Sequence, residues 1–163
     1  MLILLAAAAP LFAASPTDMS IQGLKTEHAA LRTELDAVEA RVGGLAAASA
    51  DRRASEMAEI VRFVKGRLNP HAIWEEQRLY GEIDARAGTD IPEPFTAALR
   101  HNHAVALRWT GELEKMAAER RPDVDAFVRR ADNLIGLTRA HFESEEAVLV
   151  PILAREPDTR GRR

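Results

Sequence analysis

Two stretches of the chain place a histidine four residues before a glutamate, His71 with Glu75 and His141 with Glu145. On an α-helix, residues four positions apart differ by about 40° in direction and lie one turn apart. Each pair therefore presents an imidazole nitrogen and a carboxylate on the same side of a helix. The chain has no cysteine. A set of nitrogen and oxygen donors without thiolate suits iron, manganese or zinc, and a carboxylate can bridge two ions.

A single histidine precedes each pair, which makes the whole pattern a repeat. His28 lies 43 residues before His71, and His103 lies 38 residues before His141. His101 is close to His103 but points about 200° away from it on a helix, so the two cannot face the same core. We prefer His103, because apolar residues lie one turn before and one turn after it. His101 is kept as the alternative.

The pattern supplies enough donors for two metal ions. Four histidines give each ion two nitrogens, and two bridging glutamates give each ion two oxygens. An oxide or hydroxide bridge would be a fifth ligand, and a sixth position would stay open for a small molecule on at least one ion. The predicted metal ligands are His28, His71, Glu75, His103, His141 and Glu145.

Four further side chains adjoin these predicted ligands. Glu76 and Glu146 occur in both stretches but point about 140° away from the histidines, so we place them around the ligands or toward solvent. Tyr80 and Trp74 are interpreted as packing residues rather than redox groups. The alternative to a metal site is a bundle whose histidines and glutamates form a metal-free polar network.

Four amphipathic helices must position these side chains. Ala, Leu, Glu and Arg are abundant, which favours helix, and apolar residues recur at spacings of three and four. The first helix is predicted to run from near Asp18 or Ser20 to Gly43 and Gly44. The second is expected at 51–86 with an interruption at Pro70, the third at 94–121, and the fourth from about 122 until Pro151 bends or ends it.

Short connections between four such helices predict an all-α fold, an antiparallel up-down-up-down four-helix bundle. Because the ligand pattern occurs twice, the bundle is expected to consist of two pseudo-repeated helical hairpins. We assign residues 18–155 to the bundle and 156–163 to a flexible tail. Residues 1–17 are assigned to an N-terminal arm or a secretory signal segment.

Composition restricts the partners. A net charge of −3 gives no basic face for a nucleic acid, and the apolar N-terminal run is shorter than the roughly 20 residues of a membrane span. We expect a monomer or a weak homodimer. A cytoplasmic location is slightly favoured, and the protein would be secreted or periplasmic if residues 1–15 are a signal peptide.

The stretches "EHAAL" at His28, "HAIWEE" at His71, "HNHAVAL" at His103 and "HFESEE" at His141 resemble the hemerythrin-like family of HHE cation-binding domains. The resemblance covers about residues 22–154. It implies a four-helix bundle with a non-haem di-iron centre between the helices. Family members bind or sense dioxygen, respond to nitric oxide or peroxide, or handle iron.

Two departures from the oxygen-carrying members bear on function. Their third helix typically carries HxxxH, whereas His103 is followed by Leu107, and their last motif is usually HxxxxD rather than His141 with Glu145. The two-fold pattern looks more like the branch that includes iron–sulfur repair proteins. Those proteins have an additional cysteine-bearing domain, and this sequence has no cysteine, so a repair activity does not carry over.

The sequence therefore predicts a non-haem di-iron protein that binds or responds to O2, NO or H2O2 as a sensor or stress-response module. An iron-handling protein and a peroxide- or oxygen-reducing oxidoreductase are the alternatives, and whether the protein is an enzyme stays open.

Overall fold

The computed structural model describes residues 21–87 and 93–154, and all regular secondary structure in these two ranges is helical. Helix α1 spans Ile21–Gly44, α5 spans Glu93–Ala118 and α6 spans Val124–Leu153. A second long helix runs without a break from residue 50 to residue 87. It consists of α2 (Ala50–Phe63), a π-helical turn (Val64–Leu68), α3 (Asn69–Trp74), another π-helical turn (Glu75–Leu79) and α4 (Tyr80–Ala87).

The four long helices pack around one interior. Helix α1 contacts α2 and α6, α5 contacts the same two helices, and α4 also contacts α6. Each long helix therefore has a neighbour on either side, as in a helical bundle. Within the described ranges, no helix is long and apolar enough to cross a membrane.

Among the described side chains, two apolar clusters fill the interior. The larger cluster includes Leu31, Leu35 and Phe127, and the smaller one includes Leu24 and Leu99. Burying an apolar side chain of this size contributes roughly 1.5–3 kcal/mol, so these clusters hold the helices together. The side chains with metal-ligand chemistry lie along the helices between the two clusters.

The π turns keep the buried face of the second helix in line. In a regular α-helix, residues four positions apart differ by about 40° in direction. Side chains spaced by repeated four-residue steps therefore turn progressively away from the core. A π turn closes a loop that is one residue longer, as in the bonds from Asn69 N–H to the Val64 carbonyl and from Tyr80 N–H to the Glu75 carbonyl. The extra residues offset the drift, and the buried positions are Ile60, Val64, Leu68, His71, Glu75, Leu79 and Ile83.

The interruption expected at Pro70 takes the form of the first π turn. A proline has no N–H for the carbonyl four residues earlier, and its ring crowds that carbonyl. Here the helix widens over Val64–Leu68 and then resumes, with Pro70 in the first turn of α3. The wider turn before Pro70 accommodates the missing N–H and the ring, so the helix continues past it.

Most helix ends lie within a few residues of the predicted ones. Helix α1 ends at Gly44 as predicted, while α5 ends at Ala118 rather than at residue 121. Helix α6 begins two residues later than predicted, because Asp123 accepts the Ala126 N–H at 2.9 Å and caps the helix. The arm at 1–17, the capping residues Asp18 and Ser20, the link at 88–92 and the tail at 156–163 lie outside the described residues.

Candidate metal centre

Six buried polar side chains form a layer between the two apolar clusters. His28, His71, Glu75, His103, His141 and Glu145 are each at most 7% exposed, and we call them the polar layer. Burying a charged group is costly unless it is paired or bound to a metal. These side chains must therefore satisfy one another or a cation.

The structure separates the two histidine candidates on the third long helix. His103 is 4% exposed, whereas His101 is on the surface. Leu99, one turn before His103, is buried, but Leu107, one turn after it, is 42% exposed. Of the two apolar neighbours that favoured His103, only Leu99 is in the core, although His103 itself faces the interior.

The polar layer divides into two groups that share Glu75. In the four-residue group, His28, His71, Glu75 and Glu145 each bring one donor atom within 4.8 Å of the others. In the three-residue group, Glu75, His103 and His141 do the same. Imidazole and carboxylate donors gathered in this way could hold one metal ion in each group.

The two oxygens of Glu75 face different groups. Its Oε1 lies 2.8 Å from His71 Nε2 and 3.4 Å from His28 Nε2. Its Oε2 lies 3.1 Å from His103 Nε2 and 3.7 Å from His141 Nε2. A carboxylate placed in this way can bridge two ions.

Several buried nitrogen and oxygen atoms of the layer that could bind a metal lack a hydrogen-bond partner. They include His71 Nε2, Glu75 Oε2 and Glu145 Oε2, which approach other polar atoms without hydrogen-bond geometry. A buried polar atom left unsatisfied costs about 1–3 kcal/mol. A cation between these atoms would supply the missing partner, so the residues present fit a pair of metal ions.

Glu76 and Glu146 occupy the outer nitrogens of two histidines. Glu146 Oε1 lies 2.9 Å from His28 Nδ1, and Glu76 Oε1 lies 3.1 Å from His103 Nδ1. Arg32 also donates to Glu146 Oε1, at 2.8 Å. A carboxylate on one ring nitrogen fixes the tautomer, so that the other nitrogen can serve as the metal ligand. In His103 that other nitrogen, Nε2, lies 2.8 Å from His141 Nε2. Both glutamates thus lie around the predicted ligands, one of the two places that the sequence allowed.

Tyr80 combines packing with a polar contact that its sequence position did not indicate. Its ring is fully buried in the smaller apolar cluster, and its hydroxyl donates to Glu145 Oε1 at 2.6 Å. In a regular helix the fifth residue after Glu75 would point about 140° away from it. The π turn that begins at Glu75 brings Tyr80 inward instead. Burial and the nearby Glu145 carboxylate raise the pKa of Tyr80 far above its ordinary value, so the hydroxyl keeps its proton.

Burial and mutual contacts set the charges of the layer. Burial lowers the pKa of His28, but contacts with Glu145 and Glu75 outweigh it and raise that pKa to about 9. The pKa of His103 is also raised, since Glu75 outweighs the effect of burial. Burial raises the pKa of Glu75, but His71 and the other imidazoles bring it well below its ordinary range. Burial and the neighbouring Glu75 raise the pKa of Glu145.

A small cavity borders the polar layer. Its volume is about 30 Å³, enough for roughly two water-sized molecules. Apolar side chains such as Leu68, Ala106 and Phe142 form much of its wall, and His103 and His141 reach it. The cavity could admit a diatomic molecule or a peroxide to the predicted ligands.

One comparison with known proteins agrees with this geometry. The family model for the hemerythrin HHE cation binding domain matches residues 19–153, which include the whole polar layer. The searches of curated proteins and of solved structures gave no significant match.

Proposed function

This chain belongs to the hemerythrin HHE cation-binding domain family, and from that premise we propose that it holds two iron ions and binds or responds to O2, NO or H2O2. The four-residue group would hold one ion and the three-residue group the other. Manganese and zinc suit the same donors. Bound iron would supply a redox-active centre with a coordination position for the small ligand.

One observation carries the proposal, the position of Glu75 between the two groups. Each of its oxygens lies near the histidines of a different group, and the side chain is fully buried. In a polar network without metal, the buried nitrogen and oxygen atoms should be hydrogen-bonded to one another. Glu75 Oε2 and His71 Nε2, however, have no hydrogen-bond partner. Two cations would satisfy both.

The cavity supports a small ligand over a large one. Its mostly apolar wall suits uncharged molecules such as O2 and NO. The side chains of His71, His103 and His141 also line the cavity. The titratable side chains that line it are His71, Glu75, His103 and His141, all predicted ligands. Since this described wall offers no further acid or base, binding or sensing is favoured over turnover.

We also propose the up-down-up-down course and the two pseudo-repeated hairpins. The links at 45–49 and 119–123 have five residues each and span at most about 18 Å. Helix α1 has 24 residues and is roughly 36 Å long, so such links favour antiparallel neighbours. Two reciprocal contacts also favour the repeat: Glu146 of the second half meets His28 of the first, and Glu76 of the first half meets His103 of the second.

The test is to load the purified protein with iron and to record metal content and optical spectra under NO and under O2. We expect two iron ions per chain and near-ultraviolet or visible bands that change with the small ligand. The double variant Glu75→Gln/Glu145→Gln should lose both the iron and the bands. Glu114→Gln, which alters a surface carboxylate paired with Lys65, should keep both.

Other outcomes separate the alternatives. Sustained consumption of peroxide or O2 with a reductant would indicate an oxidoreductase, and rapid loss of iron to a mild chelator would indicate an iron-handling protein. A wild-type protein that binds no metal and shows no iron-dependent bands would leave the metal-free polar network.

A further inference from the structure

The two halves of the polar layer differ at Tyr80. In the first repeated stretch this tyrosine lies nine residues after His71, and the matching position after His141 is Val150. The repeat therefore supplies a phenol in one half only. That phenol contacts Glu145, the glutamate of the other half.

This contact makes the two central glutamates unequal. Glu75 offers Oε1 to the four-residue group and Oε2 to the three-residue group. Glu145 belongs to the four-residue group through Oε2, which lies 3.3 Å from His28 Nε2 and also 3.5 Å from His141 Nε2. Its Oε1, the oxygen that could serve the three-residue group, accepts the Tyr80 hydroxyl at 2.6 Å. The same hydroxyl lies 3.3 Å from His141 Nε2, beside the three-residue group.

We infer that Tyr80 is a positioning residue that keeps Glu145 in the four-residue group, so that the ion in the three-residue group has one carboxylate fewer. The inference rests on the proposed function, because it requires two ions in the layer. It also revises the simple donor count in which both glutamates bridge. Glu75 would be the one carboxylate shared by both ions, and the ion with fewer protein ligands would lie next to Tyr80.

The test uses Co²⁺ as the probe, titrated into metal-free protein without oxygen, since cobalt absorption reports both affinity and coordination number. In the wild type we expect two binding steps with distinct spectra. In Tyr80→Phe, Glu145 Oε1 is free to reach the second ion. The weaker step should tighten by roughly tenfold, and its bands should weaken as the coordination number rises, while the stronger step stays within about twofold.

Thr110→Val is the matched control, because it removes another buried hydroxyl. That hydroxyl donates to the Ala106 carbonyl at 2.8 Å and forms no hydrogen bond with the six side chains of the polar layer. Both of its binding steps should equal those of the wild type. If Tyr80 only supports packing, Tyr80→Phe will leave both steps unchanged or weaken them, and either result overturns the inference.

The wild type alone also tests the inference, in case Tyr80→Phe does not fold. If the first and second cobalt ions give identical spectra, the two positions are equivalent and the inference is wrong, although the proposed two-metal function would stand. A wild type that binds fewer than two cobalt ions would contradict the proposed function itself, and the inference with it.

Discussion

At the scale of single residues, Glu75 and Glu145 are equivalent in the sequence and different in the structure. Both follow a histidine by four positions, and both are fully buried. Yet the pKa of Glu75 is lowered, as the imidazoles outweigh its burial, whereas burial raises the pKa of Glu145. Glu75 belongs to both groups and Glu145 to one, so the two carboxylates should not be interchangeable.

We predict different metal losses for the two isosteric substitutions. Glu75→Gln should lose both ions, because an amide has one acceptor oxygen and no charge where two groups need a carboxylate. Glu145→Gln should retain the ion of the three-residue group. Elemental analysis after dialysis measures the content, with Glu114→Gln as the surface control. Equal losses in Glu75→Gln and Glu145→Gln would contradict the assignment.

Glu146 gives a second prediction at this scale. Its carboxylate holds His28 Nδ1 and is held in turn by Arg32, so Glu146→Ala frees the His28 ring to rotate. Loss of such an outer partner typically lowers metal affinity by about 10–100-fold. Chelator competition would measure it. Glu143→Ala, an exposed site on the same helix, should bind metal like the wild type, and an equal loss there would refute the role of Glu146.

At the scale of elements, the second long helix has the most unusual geometry. Its two π turns cover the steps from Val64 to Leu68 and from Glu75 to Leu79. A π turn contains one residue more than the regular turn it replaces. Removing one exposed residue from it should therefore restore a regular helix without moving the flanking side chains to a new face.

We predict that deletion of Gln77, an exposed residue of the second π turn, leaves the fold and the metal content intact. Deletion of exposed Ala58 in the regular helix α2 should rotate one side of the helix by about 100°. It would take Met57 or Ile60 out of the core and cost at least about 3 kcal/mol. Urea unfolding and metal analysis measure both. The π-turn argument fails if the Gln77 deletion is as destabilising as the Ala58 deletion.

The sequence was a good guide to these elements and a weaker guide to their contacts. Apolar spacing predicted four helices, and the interior position of residues such as His28 follows from it. Spacings of three and four do not by themselves predict the π turns, which follow only from the rotation summed along the buried positions. That drift is the signal that could have revealed the inward position of Tyr80.

The contacts between helices could not be obtained from the sequence. Whether Glu146 reaches His28 depends on how α1 and α6 are set against each other, and the spacing within either helix says nothing about that. The same holds for Glu76 and His103. The spacing of residues within one helix therefore predicts which side chains share a face. The packing of the helices against each other decides which of their atoms come into contact.

At the scale of the whole molecule, the cavity beside the polar layer would be the route by which a small ligand reaches the proposed centre. Ala106→Leu adds bulk to the wall of this cavity, whose volume is about 30 Å³. We predict slower NO association with the iron-loaded, reduced protein at unchanged iron content, measured by stopped-flow absorbance. Ala104→Leu, on the exposed side of the same helix, is the control. Unchanged association in Ala106→Leu would show that the ligand enters elsewhere.

The metal-free protein should lose stability as the pH rises from about 6.5 to about 9. His28 has a folded pKa near 9 against an ordinary 6.5. Its stabilisation is fully present below 6.5 and is lost as the pH passes 9, an effect of order 3 kcal/mol. His103 and Glu145, whose pKa values are also raised, act in the same direction. Glu75, whose pKa is lowered in the folded protein, stabilises the fold at pH values above its unfolded pKa of 4.5. It loses that stabilisation in acid.

Metal loading should reverse this dependence. A bound cation takes the place of protons on the imidazoles, so its affinity, and the stability it confers, should rise over the same pH window. Urea unfolding of the metal-free and metal-loaded protein at pH 6 and pH 9 measures both slopes. His28→Gln should flatten the metal-free slope, and exposed His101→Gln should leave it unchanged. A metal-free protein that becomes more stable from pH 6 to pH 9 would show that His28 does not carry the buried proton.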